Sequence, residues 1–206
     1  WSFSHLTRWE TTAKCKAFYS NEFKQKLIEK PEEILGQSIP DRVGNWHYFN
    51  RAQYLEVKTL MGGYLLSSQG DRMLMSNSVE GRFPFLDHRV MDFSTQLHPN
   101  LKMKVLNEKY ILKKSMQKYL PPRITNRYKQ PYRAPDIPAF FRGTNKQLVY
   151  DYVNDKQLGD CGVFDPKKVS ILLRKIEKGR AIGYKDNMAL VGILSTQIWY
   201  NQFIRK

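Results

Sequence analysis

Residues 187–204 read NMALVGILSTQIWYNQFI, without one charged side chain among them. A run that long and that apolar has to be covered, either by polypeptide or by lipid. It also carries Asn187, Ser195, Thr196, Gln197, Asn201 and Gln202. So many polar side chains are costly in hydrocarbon. The run is therefore expected to form a helix buried in protein, beginning near Asp186 or Asn187, and not a membrane span.

The rest of the chain is punctuated for helices too. Candidates run from Trp9 to Tyr19, restart at Ser20-Asn21-Glu22, and return at Pro31-Glu32-Glu33-Ile34-Leu35, closed by Gly36. A long helical tract is expected from Trp46 to Met61, pausing at Gly62-Gly63. Asp87 suits the N-cap of a helix carrying Val90, Phe93 and Leu97 at helical spacing. Asn107 is placed to cap the next, which Pro121-Pro122 ends. The clearest pattern is late: Asp165 as cap, Pro166 at the first position, Val169, Leu172, Leu173 and Ile176 on one face, and Gly179 as the stop. A proline-rich loop with Pro131, Pro135 and Pro138 lies between. No run alternates as a strand would, so the fold class read here is mostly α, in a single unit over residues 1–206.

Composition is that of a globular protein. Cys15 and Cys161 lie far apart without ligand-like neighbours, which fits neither zinc nor a disulfide framework and suits a reducing, cytoplasmic setting. The opening WSFSHLTRWE has no apolar core of a secretory leader. Net charge is +15, and residues 101–146 hold twelve Lys or Arg against Glu108 and Asp136 alone, so +10 of the total sits there. Such a segment suits a nucleic-acid face, a phosphate-handling site or a solvated surface. Among common catalytic signatures, neither G-x-x-x-x-G-K-[ST], G-x-G-x-x-G nor H-E-x-x-H occurs, and the four histidines are scattered.

Four motifs narrow the choice: DR at Asp71-Arg72, SVEGRFPFLDHR at 78–89, EKYILK at 108–113 and NRYKQP at 126–131, followed by DNMALVGILSTQ at 186–197. Together, and in this order, they resemble the C-terminal part of the synthetase domain of glutamine-dependent asparagine synthetases. The resemblance is strongest over residues 51–131. It implies the helical C-terminal portion of an adenine-nucleotide α-hydrolase-like (ATP pyrophosphatase) synthetase domain. It further implies a two-part enzyme: a glutaminase that releases ammonia, and a synthetase that uses ATP and Mg to adenylate the aspartate side-chain carboxylate. Ammonia then gives asparagine, AMP and pyrophosphate. The family's S-G-G-x-D-S pyrophosphate loop, its G-S-D-E-type segment and its N-terminal cysteine have no counterpart here. The expectation is a C-terminal fragment whose partners are the missing N-terminal glutaminase domain and nucleotide-binding half, with a homodimer as a further option. The fragment alone is expected to be inactive.

By resemblance, Lys129 in RYKQP matches the motif lysine that stabilises the acyl centre, and a proline-rich loop would fix its placement. Glu80 and Arg82 sit two apart, so on an extended segment they share a side while Val79, Gly81 and Phe83 turn toward a core. Arg82 suits bidentate binding of carboxylate or phosphate, with Glu80 orienting it; an ion pair clamping the segment is the structural alternative. Arg82 and Lys129 are expected to face one cavity. Asp71 and Arg72 suit substrate positioning or a buried pairing. Glu108 suits the positive end of a helix, and Lys109 joins the synthetase motif or lies at the surface. The stretch GYLLSSQG at 63–70 carries no charge where many relatives place acidic residues, which leaves the acceptor carboxylate open. Two other classes stay open: a basic nucleic-acid-binding module, although Tyr110, Tyr119, Tyr128 and Tyr132 show no repeated stacking pattern, and a non-catalytic helical interaction domain. Nucleic acid is not the expected partner.

Overall fold

The structure is a computed structural model that describes residues 1–130, 137–180 and 183–205. The loop prolines Pro131 and Pro135, the charges Arg133 and Asp136, and Tyr132 lie outside the described residues. In chain order the helices are α1 (Phe3–Ala13), α2 (Asn21–Lys26), α3 (Pro31–Gln37), α4 (Tyr48–Glu56), α5 (Arg72–Ser76), α6 (His88–Gln96) and α7 (Pro99–Lys102). A short antiparallel pair, β1 (Met103–Lys104) and β2 (Asn107–Glu108), follows. Then come α8 (Tyr110–Met116), α9 (Pro122–Thr125), α10 (Ile137–Phe140), α11 (Asn145–Tyr152), α12 (Asp155–Cys161), α13 (Pro166–Glu177) and α14 (Tyr184–Phe203). The mostly helical class holds. The chain divides into two compact units, Trp1–His5 with Pro40–Tyr132, and Leu6–Ile39 with Arg133–Lys206.

The second unit owns the apolar core. Helix α14 contributes Ala189, Leu190, Ile193 and Leu194, and α13 contributes Val169, Leu172, Leu173 and Ile176. Ile137, Val149, Val153, Leu158 and Phe164 complete the buried set around them among the described residues. Burying each such side chain is worth about 1.5–3 kcal/mol, so these helices hold one another. Asp165 caps α13 by accepting from the Lys167 and Lys168 backbone N–H groups, and Pro166 takes its first turn. Gly179, at φ +64°, closes it: the N–H groups of Gly179 and Arg180 return to the carbonyls of Ile176 and Lys175. Residues 18–20 run against 163–165, with Asp165 N–H on Phe18 O and Ser20 N–H on Val163 O at 2.9 Å each. The uncharged run thus lies in a protein core, and no described helix is long and apolar enough to cross a membrane. Within α14 the Gln197 amide is fully buried with no hydrogen-bond partner among the described residues, an arrangement that costs about 1–3 kcal/mol.

The first unit is built differently. Its wholly buried apolar side chains are Val43 and Leu55. It is tied by polar contacts of long sequence reach: buried His5 Nε2 stands 2.9 Å from Glu56 Oε2, and Lys102 Nζ donates to Asn50 Oδ1 at 3.0 Å. The tract expected to pause at Gly62-Gly63 runs through them. Residues 48–76 are helical throughout, and over Val57–Asp71 the turns widen to the i→i+5 pattern of a π-helix. Each glycine weakens a helix by about 1 kcal/mol, which here is not enough to end one flanked by Leu60, Met61, Tyr64, Leu65 and Leu66. The tract ends instead at Ser78, left-handed at φ +54°, where Ser78 and Val79 N–H groups return to Met75 and Leu74 carbonyls.

Two further expectations change. Asn107 does not cap a helix; it pairs with Lys104 in the hairpin, and α8 starts three residues later. The strands have two residues each, too short to show alternation in sequence. Asp87 does cap α6: Oδ1 accepts the Arg89 N–H at 2.9 Å, and the carboxylate also takes the Arg89 guanidinium through both oxygens. The Arg89 side chain first, and its backbone N–H second, hold the Asp87 carboxyl below its ordinary range.

Two measurements check these local devices. Val105 opens the two-residue hairpin turn at φ +57°, exposed at 85%, a conformation that disfavours a β-branched residue. Relief of that strain, less the chain entropy of glycine, predicts that V105G raises unfolding stability by about 1 kcal/mol in denaturant titrations. Because the Asp87 pKa is lowered on folding, its contribution is complete above the unfolded carboxylate value of about 3.9 and is lost as pH falls through the folded value. The stability gap between the wild type and D87N is therefore expected to close below about pH 4.

Candidate functional site

The hairpin hands over directly to α8. Glu108 ends β2 opposite Met103, and Lys109 takes a left-handed conformation, φ +54° and ψ +34°, before α8 begins at Tyr110. That single left-handed residue turns the extended chain into a helix with no linker. It places Glu108 and Lys109 at the mouth of a cavity of about 450 Å³, with Lys113 one helical turn further on. The opposite rim is the loop after α9, which supplies Arg127, Tyr128 and Lys129. Leu112, Met116, Leu120, Ile124 and Phe85 form the apolar floor.

Three of the residues singled out in the sequence, Glu108, Lys109 and Lys129, therefore line one cavity. Lys113 and Arg127 also line it, giving, among the described residues, the charges of Lys109, Arg127 and Lys129 against Glu108, with the Lys113 ammonium bonded to Asn107 Oδ1 at 2.9 Å. None of Glu108, Lys109, Arg127 or Lys129 forms an ion pair among the described residues. Cations left unpaired beside an apolar floor attract an anionic ligand more strongly than the same charges spread over open surface. Lys113 and Arg127 escaped the sequence reading. The available signals were their spacings: Lys113 is four residues from Lys109 along a helical motif, and Arg127 is two from Lys129 in RYK.

The other named residues are elsewhere in this unit. Arg82 and Glu80 form an exposed ion pair at 2.8 Å, and Arg82 does not line the cavity that Lys129 lines. Exposed pairs of this kind contribute at most about 1 kcal/mol, so the pair is a weak clamp. The expected inward turn of Val79 and Phe83 is also not seen, since they are 52% and 45% exposed. Only Gly81 abuts its neighbours: a Cβ there would fall 2.4 Å from Leu74 Cδ1 and 2.7 Å from the Phe83 ring. Of the motif's apolar residues, Phe85 reaches the cavity. Asp71 and Arg72 sit at the junction of the π-helical tract and α5, both exposed and without an ion pair among the described residues. Among the described residues no three His, Cys, Asp or Glu side chains gather as a metal site.

Comparison with known proteins places this arrangement. The sequence pattern described as asparagine synthase matches residues 3–201. The chain belongs to the asparagine synthase family. It is similar to amidase chyE of Penicillium rubens, at 36% identity over 124 residues, covering 57% of this chain and 18% of that protein. It is also similar to glutamine-hydrolyzing asparagine synthetase 1 of Bacillus subtilis, at 37% over 108 residues, covering 52% and 17%. Amidase chry2 of Gibberella zeae is 35% identical over 147 residues, covering 58% and 22%. The chain thus spans about a fifth of the length of these curated relatives. No solved structure matches it.

The left-handed Lys109 gives a test that separates geometry from charge. Glycine tolerates this conformation and alanine does not, so K109G is expected to be more stable than K109A by about 0.5–1 kcal/mol in chemical unfolding. Equal stabilities would mean that Lys109 is not held left-handed in solution.

Proposed function

We propose that this chain supplies the cationic wall of an ATP-dependent amide synthetase, the part that steadies negative charge while a carboxylate becomes an amide. The observation that carries this reading is the cavity itself. Lys109, Arg127 and Lys129 line it together with Glu108, the single carboxylate among the described residues there, beside an apolar lining, in a chain of the asparagine synthase family. The reaction proposed for the whole protein has two steps. The carboxylate oxygen attacks the α-phosphorus of ATP, expelling pyrophosphate and leaving an acyl-adenylate. Ammonia derived from glutamine then attacks the acyl carbon, and AMP departs as the amide forms.

Both steps bring like charges together or build new ones. A carboxylate must approach a triphosphate, and the acyl oxygen gains negative charge when ammonia adds. Fixed cations in a partly desolvated cavity offset both, without reorganising at the moment of reaction. In this reading Lys129 faces the acyl and phosphoryl oxygens, Lys109 and Arg127 hold the anionic groups to either side, and Glu108 orients the cations or accepts a proton from the incoming ammonia. Magnesium would enter with the triphosphate, because the described residues bring only Glu108 to the cavity as a carboxylate. Aspartate is the acceptor this reading favours. Two similar proteins are named amidases and others asparagine synthetases, so another carboxylate processed by the same route is the alternative.

The test uses the full-length protein. Lys129→Ala is expected to lower amide formation by about 10²–10³-fold, the scale seen when one oxyanion-stabilising group is lost, while glutamine hydrolysis continues. Amide formation at the wild-type rate would remove Lys129 from the mechanism. Comparing aspartate with other carboxylates as the acceptor in the ATP-dependent reaction identifies the substrate.

A further inference from the structure

A second cavity, of about 340 Å³, lies beside a neighbouring face of α8, and nothing in the proposed chemistry uses it. Among the described residues its charged lining is Lys104, Lys113 and Lys114, with no carboxylate. Asn107, Gln117 and Asn126 add amide groups, and Tyr110 and Tyr128 add phenols. The ammonium of Lys113 is held on this side, since Nζ donates to Asn107 Oδ1 at 2.9 Å. The Lys104 ammonium stands over the Tyr110 ring, 5.3 Å from its centroid.

We propose that this cavity binds a small phosphate-bearing anion, at a site distinct from the Lys129 cavity. Three ammonium groups around one concavity repel one another, and no acidic side chain there offsets them. A multiply charged anion relieves that repulsion at once, while the surrounding amides donate further hydrogen bonds. The donor chemistry selects among anions. Planar carboxylates are best matched by the fork of arginine, and among the described residues no arginine lines this cavity. Lysines act as rotatable point charges suited to the tetrahedral oxygens of phosphate. The size suits one small ligand and not a strand of nucleic acid. Lys113, Thr125 and Tyr128 line both cavities, so an anion bound here acts on side chains that the proposed active site also uses.

The test is calorimetric titration of this chain with sodium tripolyphosphate at fixed ionic strength. A saturable site that survives in K129A is expected, alongside binding at the Lys129 cavity. The double variant K104Q/K114Q should weaken binding by about tenfold or more. The variant K24Q/K26Q removes the same charge from exposed positions on α2 and should leave affinity unchanged. K129A, which alters only the other cavity, should weaken triphosphate binding there and leave the affinity of this site unchanged. Asn107→Asp is a second probe, because it sets a carboxylate among the ammonium groups and should weaken binding even if the double variant misfolds. Equal weakening by K24Q/K26Q would overturn the proposal, reducing the effect to net charge. Loss confined to K129A would move the site to the first cavity. Tighter binding of a single-stranded oligonucleotide than of tripolyphosphate, falling steeply with salt, would replace it with a nucleic-acid face.

Discussion

One backbone conformation orders the candidate site. Lys109 is left-handed, and that lets a two-residue strand pass into α8 without a connecting loop. An ordinary cap would have needed an extended residue and a Ser, Thr, Asp or Asn side chain to satisfy the first N–H groups; Lys109 offers neither. The conformation costs about 1–2 kcal/mol in a residue with a Cβ, and the surroundings must supply it. Two supports are visible. The β1–β2 pairing fixes Glu108 from one side, and Lys113 bonds back to Asn107 from the other. Strain held in this way gathers at positions where a side chain has to be aimed. Here it puts a carboxylate, a lysine and a second lysine one turn on along the same cavity.

The two units hold their shape by different means. In the second, apolar burial dominates: α13 and α14 each send apolar side chains into one buried cluster, and Asp165 caps α13. In the first, apolar side chains are mostly at the surface, and the backbone is governed by local hydrogen bonds. Examples are the closing turn at Ser78, the Asp87 cap and the hairpin bonds. A structure governed by such contacts can keep unpaired cations around a cavity, because no tightly packed core demands that they be neutralised or replaced.

This contrast explains what could be read in advance. Helix α13 was legible residue by residue, because Asp165, Pro166, the apolar stripe and Gly179 all state the same structure. Asp87 was legible for the same reason. The tract at Gly62-Gly63 was not, because two glycines lower helix propensity locally while their neighbours decide whether the helix continues. The hairpin was invisible because two residues cannot display a period, and because Val105 and Leu106 are poor advertisements for a turn. Of the residues that line the larger cavity, Glu108, Lys109 and Lys129 were singled out through motif resemblance, not through spacing. Lys113 and Arg127 required the fold, since what they share is a concavity and not a stretch of sequence. Arg82 shows the reverse error. Its alternation with Glu80 was read correctly as a shared side, but that side faces solvent, and adjacency in a motif did not become adjacency in space.

Lys113 carries the remaining argument. Its stem lies against the cavity that holds Lys129, while its ammonium is drawn by Asn107 toward the other. A flexible four-carbon stem can carry that charge to either side of α8, but one ammonium cannot neutralise an anion in both cavities at once. Thr125, buried at the end of α9, and Tyr128 just beyond it are shared in the same way. If anions occupy both cavities, charge drawn to one side leaves the other rim with a weaker field, and the two sites compete through electrostatics without any change of backbone. The coupling is bounded by what one lysine contributes at a solvent-accessible distance, and it weakens as salt shortens the range of the field.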